Sequence, residues 1–278
     1  MDMLERLELF VRSLVGSLTK TINGRHVSGL IVNTSHGFFA IDSEDFAVGR
    51  HLRMNGEYGT LEIERLGSRM TPDSRVLVVG AHIGTLTIPL ARRCREVVAI
   101  EANPATYRLL TQNIALNAIA NCQAINIAAS DKQESIKFLL NKVNSRGSRR
   151  TPLKRSHACY HDRPEEISVP AFSLDQYLDD KAFDVIVMDI EGSEYFALCG
   201  MREILSGTRL LAVEFLPHQL RNVSGVSVAQ FVSVVAPYFN KLTVPSRGET
   251  VDASGFLPLL ADMFDKDQGD DGILFEKA

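Results

Sequence analysis

The sequence is poor in the features that would declare a specialised class. Its four cysteines, Cys94, Cys122, Cys159 and Cys199, form no C-x-x-C pair and no metal-ligand spacing. That excludes a disulfide framework and a structural zinc site, and it suits reduced thiols in a reducing compartment. No stretch approaches 18 consecutive apolar residues, so no membrane span or membrane partner is expected. The amino-terminal stretch sets Asp2, Glu5 and Glu8 where a secretory signal needs positive charge followed by an apolar run, which leads to the expectation of a cytoplasmic protein. Charge of neither sign dominates: 30 Lys and Arg against 34 Asp and Glu leave a net charge of -4. Such a balance creates no global field toward nucleic acid, so a small-molecule or glycan partner is expected instead.

What is present is the composition of an ordinary globular chain, 45% hydrophobic and 23% charged over 278 residues. That length accommodates one large domain with a small appendage. Leu4, Leu7, Phe10, Val11, Leu14, Val15 and Leu18 recur at three- and four-residue steps and predict an amphipathic helix. Two β-like runs follow, His26 to Val32 and Gly37 to Ile41, separated by Asn33, Thr34, Ser35 and His36, which predicts a hairpin. Residues 1–71 thus read as a helix and β-hairpin extension, and residues 72–278 as the main domain.

From Arg75 the rhythm changes. Val76 to Val79, Val97 to Ile100, Cys122 to Ile127, Phe183 to Met188 and Leu210 to Phe215 are short strand-like runs, several of them continuously apolar. Helical stretches separate them near Gly84 to Arg93, Pro104 to Leu116 and Ser193 to Leu205. Buried parallel strands alternating with helices predict a doubly wound, mostly parallel α/β sheet of the Rossmann-like kind. A last helix, Val226 to Tyr238, and strands Phe239 to Val244 and Gly272 to Phe275 joined by a long loop suit an antiparallel sheet edge. Asp262 to Asp271 reads as a solvated acidic loop. The segment 142–163 carries Arg146, Arg149, Arg150, Lys154 and Arg155 with no acidic residue before Asp162. It reads either as a solvated insertion or as a cover over a ligand site.

Chemistry concentrates at the carboxyl ends of the predicted strands, where open α/β sheets bind ligands. The first strand ends in Gly80-Ala81-His82-Ile83-Gly84, a glycine-bearing turn leading into a helix. Its spacing, G-x-x-x-G, lacks the extra glycine that a dinucleotide pyrophosphate requires. The second strand ends in Glu101, 21 positions after Gly80, followed by Ala102, Asn103 and Pro104. A carboxylate there can accept hydrogen bonds from both hydroxyls of a ribose. The next core strand delivers Asp189-Ile190-Glu191-Gly192-Ser193-Glu194, and the following one ends in Glu214 with His218 a turn beyond. A hydroxyl needs a base or a metal to become a nucleophile, and Asp189, Glu191, Glu214 and His218 offer both.

In combination these motifs resemble the FkbM family of methyltransferases. The resemblance is carried by Val76 to Gly84, by Ala99 to Pro104, by Asn113-Ile114-Ala115-Leu116-Asn117, by Ala128-Ala129-Ser130-Asp131, by Ser173-Leu174-Asp175 and by Asp189 to Glu194, and it covers roughly residues 55–216. It implies a class I methyltransferase fold, S-adenosylmethionine as methyl donor, and O-methylation of sugars or secondary metabolites. It further implies that Gly80, Ala81, His82, Gly84, Glu101, Ala102 and Asn103 hold the cofactor, with Ser130 and Asp131 near its adenine and Asp189 beside the transferred methyl. Glu191, Glu214 or His218 would act as base, and a divalent ion shared by Asp189 and Glu214 is the lesser route. Two positions depart from the family pattern, Val78 where Asp is usual and His82 where Asn is usual.

Three other readings stand beside this one. A binding module that kept the fold and lost turnover is motivated by Val78 and His82. A nicotinamide-dependent oxidoreductase has support only from Tyr177-x-x-x-Lys181, which precedes the wrong strand. Methylation of a base nitrogen would suit an Asn/Asp-Pro-Pro-aromatic tetrad, where this chain has Asp189-Ile190-Glu191-Gly192. The acceptor's identity and any homo-oligomer are left open by the sequence.

Overall fold

The hairpin forms from strands β1 (Leu30–Thr34) and β2 (Gly37–Ile41), paired antiparallel. Its first strand starts and also ends later than the apolar run suggested, and the later end at Thr34 leaves Ser35 and His36 as the turn. The computed structural model from which these elements are taken describes residues 18, 21, 22, 24, 26–141, 144–154, 160 and 164–277. Apart from Leu18, the helix expected over Leu4 to Leu18 lies outside the described residues. Two helices that the apolar periodicity did not announce, α1 (Val48–Asn55) and α2 (Thr60–Gly67), complete the extension.

The extension shares its core with the main sheet. Phe39, Ile41, Val48 and Leu52 pack in one cluster with Ile83 and Ile88. Asn113 seals that junction from the interior: its Oδ1 accepts from Ala40 N at 2.6 Å, and its Nδ2 donates to Ala40 O at 3.0 Å and to Ile83 O at 2.9 Å. Burying an amide is tolerable only when both its ends are satisfied, as here.

The central sheet has eight strands in the order β13-β12-β14-β11-β10-β3-β4-β5. Its members are β3 (Arg75–Val79), β4 (Glu96–Ile100), β5 (Cys122–Ile125), β10 (Val185–Met188), β11 (Leu210–Phe215), β12 (Lys241–Val244), β13 (Glu249–Asp252) and β14 (Asp270–Glu276). The strands from β11 through β5 run parallel, whereas β14 is antiparallel to β11 and to β12. Along β3 the side chains alternate between faces, Leu77 and Val79 into one core and Val76 and Val78 into the other. Both faces are covered, which is why the run is continuously apolar. Each such side chain contributes roughly 1.5–3 kcal/mol by leaving water.

Helices α3 (Thr87–Ala91) and α4 (Pro104–Leu116) follow β3 and β4. The single helix expected over Ser193 to Leu205 is two, α5 (Glu194–Cys199) and α6 (Arg202–Gly207), broken at Gly200. A Cβ at Gly200 would lie 2.0 Å from the carbonyl oxygen of Ser130, so the chain turns where another backbone crosses it. Helix α7 (Val228–Val235) precedes β12. The long loop expected before the last strand instead holds β13 and helix α8 (Phe256–Asp265). The solvated acidic loop is corrected likewise. Asp262 lies in α8 and pairs with Arg247 and Lys266, while Asp270 is buried and accepts from Ser246 N and Gly272 N.

A second sheet, ordered β6-β9-β7-β8, was not read from the sequence. It comprises β6 (Ala128–Ala129), β7 (Glu134–Leu140), β8 (Arg149–Arg150) and β9 (Glu165–Phe172). Pairing of β8 with β7 pins the described part of the basic segment over the carboxyl ends of the main strands. Among the described residues no helix is long and apolar enough to cross a membrane.

Candidate active site

The chain order β3, β4, β5 winds outward on one side of the sheet, and β10, β11 wind outward on the other. The carboxyl ends of β3 and β10 therefore open a crevice where the winding reverses, and such crevices are where open sheets take ligands. A cavity of about 280 Å³ occupies it.

Gly80 is needed because two backbones cross there. Its φ is +89°, and a Cβ would stand 1.8 Å from Asp189 O. Gly84, at φ +95°, lies outside the cavity lining, and a Cβ there would press on Leu110 and Ile88. The turn's own N–H groups are turned inward. Gly80 and Ala81 both donate to Ile100 O at 2.9 Å, and Gly84 donates to Ala81 O at 2.9 Å.

His82 holds a left-handed backbone, φ +50°, which a non-glycine residue adopts only where its surroundings fix it. Its N–H donates to Glu101 Oε2 at 2.8 Å, and its ring Nε2 lies 2.7 Å from Ser145 Oγ. Ser145 Oγ in turn donates to Asp45 Oδ2 at 2.9 Å, so the imidazole Nε2 carries the hydrogen. Burial, reinforced by the positive Arg146, holds the ring neutral by lowering its pKa to about 3.

Glu101 lines the cavity, buried, with Oε1 accepting from Asn103 N and Oε2 from His82 N, both at 2.8 Å. Each oxygen keeps a lone pair for a further donor. Burial raises its pKa to about 7 in spite of those two bonds. Asn103 is not in the lining. Its side chain caps α4 by accepting from Ala105 N and Thr106 N, which fixes the strand end that presents Glu101. Ala102, Ile127, Ala128, Ala129, Ile136 and Phe138 form the apolar side of the cavity. Ser130 and Asp131, expected there, stand outside it: Ser130 is fully buried, donating toward Asp131 and Glu134. The strand pair β6 and β9 carries Ser130 past the cavity, so the preceding alanines face it.

At the other end the acidic residues meet the basic segment. Arg146 reaches Asp189 Oδ2 through Nε at 3.2 Å and Nη2 at 2.9 Å, the Tyr58 hydroxyl through Nη1 at 3.3 Å, and Glu214 Oε1 at 3.5 Å. Asp189 Oδ1 is buried without a partner. Glu191, again left-handed at φ +56°, is held by Arg149 Nη2 at 2.9 Å and Gln219 Nε2 at 2.6 Å. Glu194 accepts from Ile190 N and Gly192 N, clasping the turn. The basic segment is thus a cover on the site at Ser145, Arg146, Ser148 and Arg149, where the solvated reading is corrected, while Leu153 and Lys154 are exposed.

Glu214 and His218 are corrections. Glu214 is buried behind Arg146 and outside the cavity lining, so it does not meet a ligand as a base; burial, with Asp189, Glu191 and Glu194 beside it, raises its pKa well above its ordinary value. His218 is exposed and outside the lining, because the short Pro217–Gln219 helix turns Gln219 inward in its place. The ligand atoms of Asp189, Glu191 and Glu214 come within 4.8 Å of one another. The guanidinium groups of Arg146 and Arg149 already neutralise these carboxylates, a donor set that fits a divalent ion poorly.

Sequence reasoning missed Tyr58, Glu62, Ser145, Arg146 and Asp271, all of which line the cavity. Tyr58, Glu62 and Asp271 also line a second, more open cleft of about 690 Å³, bounded by His51, Glu57, Arg65, Leu216 and the 245–246 and 269–272 segments. Glu62, the nearest of these to an undedicated acid, has a pKa raised to about 7 by burial and by Asp189.

The family model described as Methyltransferase FkbM domain matches residues 79–230, just over half of the chain. A 67-residue stretch is 34% identical to the 23S rRNA (uracil(1939)-C(5))-methyltransferase RlmD of Stenotrophomonas maltophilia, covering 24% of this chain and 15% of that protein. Among solved structures, the FkbM methyltransferase from Methylobacillus flagellatus is 16% identical with a TM-score of 0.40, covering 75% of this chain and 44% of that one. TYW2 of M. jannaschii in complex with AdoMet is 14% identical with a TM-score of 0.45, covering 90% and 87%. The chain therefore spans under half the length of the first two. The family match over the segment that builds the crevice establishes that the chain belongs to the FkbM methyltransferase family.

Proposed function

We propose that the protein methylates a hydroxyl oxygen of a small, uncharged acceptor such as a sugar or secondary metabolite. The observation that carries this reading is Glu62, which lies on the wall shared by the enclosed cavity and the open cleft and has no hydrogen-bond partner among the described residues. Of the other acids that line the enclosed cavity, Glu101 is bonded to two backbone amides, Asp189 to Arg146, and Glu191 to Arg149 and Gln219, while Asp271, which shares Glu62's wall, is exposed to solvent.

The cavity residues fit the cofactor. Glu101 would hold the ribose hydroxyls, the small side chains of Ala102, Ala128 and Ala129 with Ile136 and Phe138 would enclose the adenine, and Asp189 offers an orphaned oxygen at the opposite end. When bound, the cofactor supplies an electrophilic methyl on a positively charged sulfur. The protein's part is then to place, dry and deprotonate the acceptor. Glu62, with a pKa of about 7, is half ionised at neutral pH and is suited to taking the hydroxyl proton from an acceptor lying in the cleft. The extension 1–71 and the segment before β14 are proposed as the acceptor side, because they supply most of the cleft's wall.

Glu57, Glu62, Asp270 and Asp271 line that cleft against His51 and Arg65. Carboxylates so placed repel a phosphate backbone and accept hydrogen bonds from hydroxyls, which favours a small polyol over RNA. The test is incubation with S-adenosylmethionine and a panel of sugars, hydroxylated metabolites and ribosomal RNA, read by mass spectrometry for a methyl gain. Methylation of RNA alone would contradict the proposal.

A further inference from the structure

The methionine end of the cofactor is a zwitterion, and the turn beside it has few donors left for a carboxylate. Gly80, Ala81, His82 and Gly84 have already spent their N–H groups inside the protein. Helix α3, at five residues, is too short to offer an amino-terminal anion site. Among the described residues that line the cavity, Arg146 is the one cationic side chain, since His82 is held neutral.

We propose that Arg146 recognises the α-carboxylate of the cofactor, with Asp189 beside it taking the α-ammonium. This rests on the assignment of the cavity to S-adenosylmethionine. A guanidinium carries five N–H hydrogens. Arg146 directs Nε and Nη2 to Asp189, one Nη1 hydrogen to Tyr58 and its remaining Nη2 hydrogen toward Glu214. One Nη1 hydrogen stays available, and the distant Glu214 contact is replaceable. Asp189 mirrors this arrangement, with Oδ2 given to Arg146 and Oδ1 buried and unpartnered. A guanidinium and a carboxylate held 2.9 Å apart, each with a free valence, complement an ammonium and a carboxylate on one carbon. Arg146 belongs to the basic segment, whose neighbouring Ser145 is fastened to His82 on the glycine turn. Cofactor recognition and the cover over the site are therefore one device.

The test compares two ligands by calorimetry: S-adenosylhomocysteine and its decarboxylated analogue, 5′-(3-aminopropyl)thioadenosine, which differ only in the carboxylate. Wild-type protein should prefer the former by ~10- to 100-fold, the range of a charge-assisted pair. Arg146→Gln should erase that preference while still binding the analogue, which also reports that the variant is folded. Arg146→Lys, keeping the charge without the fork, should fall between. An unchanged preference in Arg146→Gln, or none in the wild type, overturns the proposal. Failure of the wild type to bind either ligand overturns the cavity assignment beneath it.

Discussion

The ring of His82 and the hydroxyl of Ser145 meet at 2.7 Å, tying the cofactor turn to the segment that covers it. Both partners depend on a third, Asp45, which orients the serine and also accepts from Ala47 N and Gly49 N at the start of α1. Ser145→Ala should strand the imidazole N–H and take from Asp45 Oδ2 one of its two donors, a loss of about 1–3 kcal/mol. Urea unfolding should record that loss, and hydrogen exchange over residues 144–154 should accelerate. Unaltered exchange would show that the contact does not fasten the segment.

Gly80→Ala sets a Cβ against Asp189 O and requires a left-handed alanine. The strands β3 and β10 must separate at their carboxyl ends to admit it. Destabilisation of about 3 kcal/mol or more is expected, with loss of S-adenosylhomocysteine binding. A folded variant of wild-type affinity would contradict the backbone crossing described here.

Glu62→Gln preserves size and removes the base. The rate with an accepted hydroxyl substrate should fall about 10²- to 10⁴-fold with S-adenosylhomocysteine affinity unchanged. The wild-type rate should rise with pH through about 7, as Glu62 ionises, and that limb should vanish in the variant. A retained limb assigns proton removal to another group.

Glu101 and Glu194 are buried acids whose pKa values stand near 7 in the fold, raised by burial from an ordinary 4.5. The folded state therefore binds more protons than the unfolded chain between those values. Their contribution to stability is full below pH 4.5 and is lost as pH climbs through 7, on the order of 3 kcal/mol for each. Ligand-free protein should accordingly unfold at lower urea at pH 8 than at pH 6, other groups aside. S-adenosylhomocysteine should reverse part of that trend if ribose hydroxyls favour ionised Glu101.

The winding of the sheet was legible because the continuous apolar runs of β3, β4, β10 and β11 have one explanation, burial on both faces. Position 101 was legible from its distance to Gly80 along the chain. Other motifs behind the family resemblance hold backbone and not ligand: Asp175 caps α6 through Glu203 N and Ile204 N, Ser173 donates to Gly200 O, and Asn113 and Asn117 bind the strand β2. Spacing alone does not separate such clasps from a binding site. Arg146 and Glu62 escaped notice for a different reason. They come from segments far apart in sequence, one within a charge run and one on an amphipathic helix, and only the tertiary fold brings them to the crevice.

The central claim is that a nucleoside lies across the ends of β3 and β4 with its ribose on Glu101. Titration of S-adenosylhomocysteine into wild-type protein and into Glu101→Ala tests it most directly. The account predicts one ligand per wild-type chain and at least about tenfold weaker binding by the variant. Equal affinity in the two proteins would contradict it.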